Sequence, residues 1–218
     1  MKVAVVDYGC GNLRSVWKAA EAAARGEADV TVTGDPAAIA AADRVVFPGQ
    51  GAMPDCMRHL RECGLEEPVR RALAEKPVLA ICIGMQMLFD HSEEGDVDGL
   101  GIYRGRVLRF PAEAMKQQNG TRLKVPQMGW NRVYQRQRHP LFAGIEDGAW
   151  FYFVHSYFVA PEECPLIAAS ASYGLPFACA VARGNVFATQ FHPEKSARCG
   201  LRLFSNFLSW DPARDNRD

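Results

Sequence analysis

Two short stretches of this chain carry residue types that can do chemistry together. The first is Ala80-Ile81-Cys82-Ile83-Gly84-Met85-Gln86, a cysteine set where the apolar run 77–81 turns into a helix. A thiol at a helix N-terminus faces the positive end of the backbone dipole and unpaired N–H groups, which favour the thiolate. Gly84 permits a sharp turn there, the geometry of a nucleophile elbow that lifts a reactive atom above the edge of an α/β sheet. A buried structural cysteine is the plainer alternative, cysteine being among the most buried residue types. The second stretch is Phe191-His192-Pro193-Glu194. Residues two apart in extended backbone face the same way, and a proline biases its predecessor toward that geometry. His192 and Glu194 then point into one cleft, Glu194 accepting from one ring nitrogen and leaving the other for Cys82. Nucleophile, base and orienting carboxylate are the parts that cysteine catalysis needs.

Attack by sulfur on a carbonyl or amide creates an oxyanion that needs two hydrogen-bond donors. The N–H of Ile83, directly after the cysteine, is one. The loop Pro48-Gly49-Gln50-Gly51 offers the second, because it ends a neighbouring strand at the carboxyl edge where open α/β sheets bind ligands. Glycines such as Gly49 and Gly51 let backbone approach a ligand closely, although an ordinary βα turn carries the same pattern.

The elements that must position these groups follow from hydrophobic patterning. Apolar runs at 3–6, 30–32, 44–47 and 77–81 read as buried strands, and 13–24, 53–60 and 66–74 as the helices between them. Such alternation implies a parallel sheet with right-handed crossovers, an α/β fold. After Gly95 the pattern changes to half-buried strands at 106–110 and 131–134, separated by the polar stretch 113–124, with Gln117-Gln118-Asn119-Gly120 as an exposed turn. Residues 150–158 form one strand of high aromatic density, and strands at 167–172 and 177–181 follow. Gly184-Asn185 turns a hairpin between 177–182 and 186–191, and a last helix spans 197–208. Residues 1–210 thus form one domain, with 211–218 a frayed tail.

The composition narrows the possible partners. Lysine plus arginine number 25 against 25 aspartates and glutamates, so no overall field recruits nucleic acid. The seven cysteines are scattered, without a CxxC pair or a zinc-like cluster, and read as reduced thiols of a cytoplasmic protein that binds no metal. Residues 1–8 are too short for a secretory h-region, and no run of about 18 apolar residues exists to span a membrane. Gly9-Cys10-Gly11 does not extend to a GxGxxG fingerprint, so no nucleotide cofactor is expected.

Cys82 in Cys-Ile-Gly-Met-Gln, the loop Pro48-Gly49-Gln50-Gly51 and Phe191-His192-Pro193-Glu194-Lys195-Ser196 together resemble the class I glutamine amidotransferases. Asp7-Tyr8-Gly9-Cys10-Gly11-Asn12-Leu13 and Val125-Pro126-Gln127-Met128-Gly129-Trp130-Asn131 are similar to the glutaminase subunits of imidazole glycerol phosphate synthases, over about 2–208. The resemblance implies a three-layer fold with a mostly parallel central sheet and a nucleophile elbow. It implies glutamine hydrolysis through a thioester on Cys82, with His192 protonating the leaving ammonia and Glu194 orienting His192. Gln86 and Glu94 would hold the amino acid part of glutamine, and backbone at His155, Ser156 and Tyr157 its carboxylate. From the residues alone, Gln86 reads equally as a helix-surface amide and Glu94 as part of a solvated acidic turn. The resemblance also implies a heterodimer with a barrel-shaped cyclase subunit, which uses the ammonia to make imidazole glycerol phosphate and aminoimidazole carboxamide ribotide in histidine biosynthesis. The docking face would include Asn12, Trp130, Tyr152 and Lys195, although Trp130 and the 150–158 strand also fit core packing. Gln50 replaces an apolar residue of the family pattern and Gln127 a histidine; residues 112–124 receive no role. Two other readings stand beside this one: the glutaminase of another synthase, and a non-catalytic regulatory relative.

Overall fold

Val3-Ala4-Val5-Val6, Val45-Val46-Phe47 and Leu79-Ala80-Ile81 are unbroken apolar runs, the composition of strands covered on both faces. The computed structural model describes residues 1–116 and 120–215. Its first half comprises β1 (Lys2–Val6), α1 (Leu13–Ala24), β2 (Asp29–Thr33), α2 (Pro36–Ala41), β3 (Arg44–Gly49), α3 (Met53–Glu62), α4 (Glu66–Glu75), β4 (Val78–Cys82) and α5 (Ile83–Gln86). The second half comprises β5 (Phe89–Ser92), β6 (Val97–Asp98), β7 (Tyr103–Arg109), β8 (Gln127–Gln135), β9 (Ala149–His155), β10 (Tyr157–Pro161), β11 (Ile167–Tyr173), β12 (Leu175–Arg183), β13 (Val186–Thr189), α6 (Ala197–Ser209) and α7 (Pro212–Asp215).

Strands β2-β1-β3-β4-β13 lie side by side and parallel, and antiparallel pairing extends the sheet from β13 through β12 and β10 to β7. The chain moves outward from β1 to β2 and then back past β1 to β3. With right-handed crossovers this reversal puts α1 on one face and α2 to α4 on the other. The packing agrees, α1 resting on α6 and α2 on α4. The result is the α/β fold that the patterning implies, in the three-layer form with a mostly parallel central sheet that the family resemblance implies.

Several details differ from the sequence reading. The single strand expected at 150–158 is two, β9 and β10, broken at Ser156. The break lets β9 pair with β8 in a side sheet while β10 joins the main one, and the His155 ring bridges it by a 2.7 Å bond to the Tyr157 carbonyl. The strand expected at 131–134 is the C-terminal half of the longer β8, and β13 ends at Thr189, short of the expected 191. The β5–β6 hairpin and α2 are additional elements. For α2 the signal was present: Asp35 accepts from the Ala37 N–H at 2.9 Å and Pro36 opens the helix. The expected tail includes one helical turn, α7, opened by a 3.1 Å bond from the Ala213 N–H to the Asp211 carboxylate. Residues 117–119 of the expected turn, and 216–218, lie outside the described residues. No helix among the described residues is long and apolar enough to cross a membrane.

Candidate active site

Cys82 is the last residue of the central strand, and the parallel register determines what stands beside it. On one side Gly49 of β3 is its partner; on the other β13 runs in step as far as Thr189 opposite Ile81, which brings Gln190 level with Cys82. The Cys82 backbone has φ 58° and ψ −110°, a conformation that costs a non-glycine residue on the order of 1–3 kcal/mol and that packing must hold in place. A Cβ on Gly84 would run into the Phe47 carbonyl, so only glycine lets α5 start this close to β3. The sulfur therefore sits at the N-terminus of α5, 4% exposed, in the elbow read from sequence.

His192 is fixed through its backbone. Its N–H donates to the Tyr152 carbonyl at 2.9 Å, and the Ser196 hydroxyl donates to its carbonyl at 2.6 Å while accepting from the Tyr152 N–H at 3.0 Å. Nδ1 lies 2.8 Å from Glu194 Oε1, with both side chains buried, and Nε2 has no hydrogen-bond partner in the protein. Burial works against a charged ring, but the charge of the nearby Cys82 sulfur and the Glu194 carboxylate outweigh it. They lift the imidazole pKa to about 10. This environment favours the imidazolium form of His192.

The groove above the elbow is a pocket of about 280 Å³ lined by Gln50, Gly51, Cys82, Ile83, Gln86, Glu94, Pro126, His192 and the segment Val154-His155-Ser156-Tyr157. Catalytic and binding candidates from five separate places in the sequence thus converge. Gln86 is buried at 1% exposure; its Nε2 donates to the Tyr157 carbonyl and to Gln190 Oε1, and its Oε1 has no partner. Glu94 is held by the hairpin tip against α3: its N–H donates to Ser92 Oγ and its Oε2 accepts from the Met53 N–H, the first helical donor, at 2.9 Å. Neither is the freely solvated group that local sequence allowed.

Of the two departures from the family pattern, Gln127 has a side-chain partner, whereas Gln50 is exposed and is held through its backbone. Gln127 is buried, its side-chain amide 2.9 Å from His155 Nε2, and burial pushes the His155 pKa down to about 4. Gln127 Oε1 faces Nε2, and because a neutral ring that donates from Nδ1 to the Tyr157 carbonyl accepts at Nε2, the bond forms when the Gln127 amide turns its NH2 there in place of Oε1. The Gln50 carbonyl accepts from the Cys56 thiol at 3.6 Å. Because a trans peptide sets C=O and N–H in opposite directions, this turns the Gly51 N–H away from α3. Gln190, overlooked in the sequence, is fully buried and donates from Nε2 to Cys82 Sγ at 3.6 Å. Its signal was a large amide directly after the apolar run of a central strand.

On the rim, Trp130 is half exposed and meets Tyr152 edge to face at 6.1 Å, its cross-strand partner in β8–β9. Lys195 Nζ lies 5.7 Å from the Tyr152 ring centre, and α1, which Asn12 precedes, packs against the turn Pro193–Lys195. Trp130, Tyr152 and Lys195 therefore share one neighbourhood, and the backbone bonds of Tyr152 lead to His192.

The family model described as glutamine amidotransferase class-I matches residues 5–209. The imidazole glycerol phosphate synthase subunit HisH of Aromatoleum aromaticum is 62% identical over 210 residues, covering 96% of this chain and 99% of the relative. The subunit of the same name from Chromobacterium violaceum is 58% identical over 211 residues, covering 97% and 99%. Among solved structures, a glutamine amidotransferase aligns with TM-score 0.69 at 20% identity over 95% of this chain and 97% of its own. PurLQS from Thermotoga maritima aligns with TM-score 0.68 at 18% identity over 95% and 97%; at such identities the likeness is one of fold. Family match, near full-length relatives and the elbow in its three-layer sheet agree: the chain belongs to the class-I glutamine amidotransferase family, in the branch of the HisH subunits.

Proposed function

We propose that this chain is the glutaminase of an imidazole glycerol phosphate synthase, releasing ammonia from glutamine and handing it to a cyclase subunit in the cytoplasm. The observation that carries the chemistry is that Cys82 and His192 line one pocket, with the buried Glu194 carboxylate on the far ring nitrogen of His192. The thiolate attacks the side-chain amide carbon and forms a C–S bond. The oxyanion is held by the Ile83 N–H and by a donor from the Gly49–Gly51 loop, where the Cys56 bond to Gln50 favours Gly51. The tetrahedral intermediate breaks its C–N bond as His192 gives its Nε2 proton to the departing nitrogen, leaving a thioester and ammonia. Water then attacks with His192 as base, the C–S bond breaks, and glutamate leaves with the thiolate restored.

Glutamine recognition follows from the lining. The Glu94 carboxylate takes the α-ammonium, the free Gln86 Oε1 accepts from the same end, and backbone of His155, Ser156 and Tyr157 meets the α-carboxylate. Glu94→Gln is expected to raise KM for glutamine about 10- to 100-fold, the worth of one charged hydrogen bond, with kcat changed less than about threefold. Steady-state glutamate release measures both.

The partner reading rests on the face of Asn12, Trp130, Tyr152 and Lys195. Glutamate release by the purified chain, alone and then with the cyclase barrel and its nucleotide ligand, tests it. Stimulation of roughly 10²-fold or more is expected, the scale of completing an oxyanion hole. Equal turnover with and without that partner would point to another synthase, and absence of turnover in both to a non-catalytic relative.

A further inference from the structure

We propose that Gln190 is a further catalytic residue of this site: its side-chain amide donates to the Cys82 sulfur and holds it as a thiolate, and Gln86 is the positioning residue that orients that amide. The inference rests on the reading of Cys82 as nucleophile.

The geometry has a direction. It begins at the Tyr157 carbonyl, which can only accept. Gln86 must therefore present its NH2 there, at 3.2 Å, and the same nitrogen reaches Gln190 Oε1 at 3.0 Å. With its oxygen so engaged, Gln190 must turn its own NH2 toward Cys82 Sγ, 3.6 Å away. Each amide fixes the next, and the last group in the series is a donor aimed at sulfur. Such a donor favours the charged form of its acceptor.

The placement also has a structural cause. Gln190 follows β13, whose register with β4 brings it level with Cys82, and its N–H donates to the Cys179 carbonyl at 2.9 Å. It is fully buried, where an amide without partners is costly, so its bonds are specified and not incidental. His192 approaches the same sulfur from a different residue of the same segment. During acylation the sulfur loses its charge to the C–S bond; when the thioester breaks, the charge returns, and the Gln190 N–H is already aimed at it.

Two variants of the full chain test this. Gln190→Met keeps length without a donor, and Gln190→Glu keeps the acceptor for Gln86 while setting an oxygen against the sulfur. Alkylation of Cys82 by iodoacetamide, followed by mass spectrometry across pH, needs neither glutamine nor partner. The inflection is expected to move up by roughly one pH unit in the methionine variant and further in the glutamate variant, where a second negative group faces the thiolate. With the cyclase present, kcat is expected to fall about 10- to 100-fold in Gln190→Met while KM changes less than about threefold. An inflection unmoved in both variants, with Cys82 reacting normally, overturns the role of Gln190 alone. A wild-type Cys82 no more reactive than the exposed thiols of Cys63 and Cys164 overturns the nucleophile reading and this inference with it.

Discussion

Cys82→Ala is expected to lower glutamine hydrolysis by about 10⁴- to 10⁶-fold, the range seen when an enzyme loses the atom that carries its covalent intermediate. Neither Cys56 nor Cys179 can take over: Cys56 is turned to the Gln50 carbonyl and its thiol is pushed well up by burial, and Cys179 is fully buried in β12 with its thiol raised for the same reason. The fold should survive, because alanine needs no more room than cysteine and meets the same φ of 58°. The loss of sulfur charge also removes the strongest support of the His192 cation, so the ring should deprotonate below its present value of about 10. Glutamate release with the cyclase and its ligand present measures the activity, and intact-protein mass after glutamine addition measures the thioester. A variant that retains turnover and shows an acyl adduct would place the nucleophile elsewhere.

Much of this site was legible locally. Cys82 at a strand-to-helix junction, and His192 two residues before Glu194 with a proline between, announce their relation through spacing that survives any packing. The parallel core was legible because its strands are apolar on both faces. Pairings between distant segments were not: Gln190 with Cys82, Gln127 with His155 and Glu94 with Met53 each join residues that only sheet register or hairpin packing brings together. Gln86 could not be assigned to core or surface, since a helix of four residues has no face to read. The break at Ser156 escaped notice because aromatic density continues across it; what changes there is the pairing partner, which composition does not record.

Glu194→Gln is expected to lower kcat by about 10³- to 10⁴-fold and to leave KM for glutamine within about threefold. Glu194 touches no atom of the proposed substrate; its Oε1 accepts from Nδ1 of His192 at 2.8 Å, which leaves the Nε2 side for the reacting groups. An amide can instead turn its NH2 to Nδ1, which moves the ring proton to Nε2 and removes the base needed for water attack. The electrostatic consequence has a definite sign. Loss of the carboxylate removes one of the influences that raise the imidazole, so His192 gives up its proton at a lower pH than about 10. A weaker cation beside Cys82 supports the thiolate less, so the thiol ionises at a higher pH. The window in which thiolate and imidazolium coexist therefore narrows from both ends. Iodoacetamide alkylation of Cys82 across pH is expected to show its lower inflection displaced upward, and the pH–rate profile of glutamate release to lose its alkaline side. Thermal stability is expected to fall at neutral pH, because the variant leaves the buried His192 cation without the carboxylate that pairs with it. A variant with wild-type kcat and an unshifted profile would mean that the backbone bonds to Tyr152 and Ser196 suffice to orient His192, and that the carboxylate serves the fold alone.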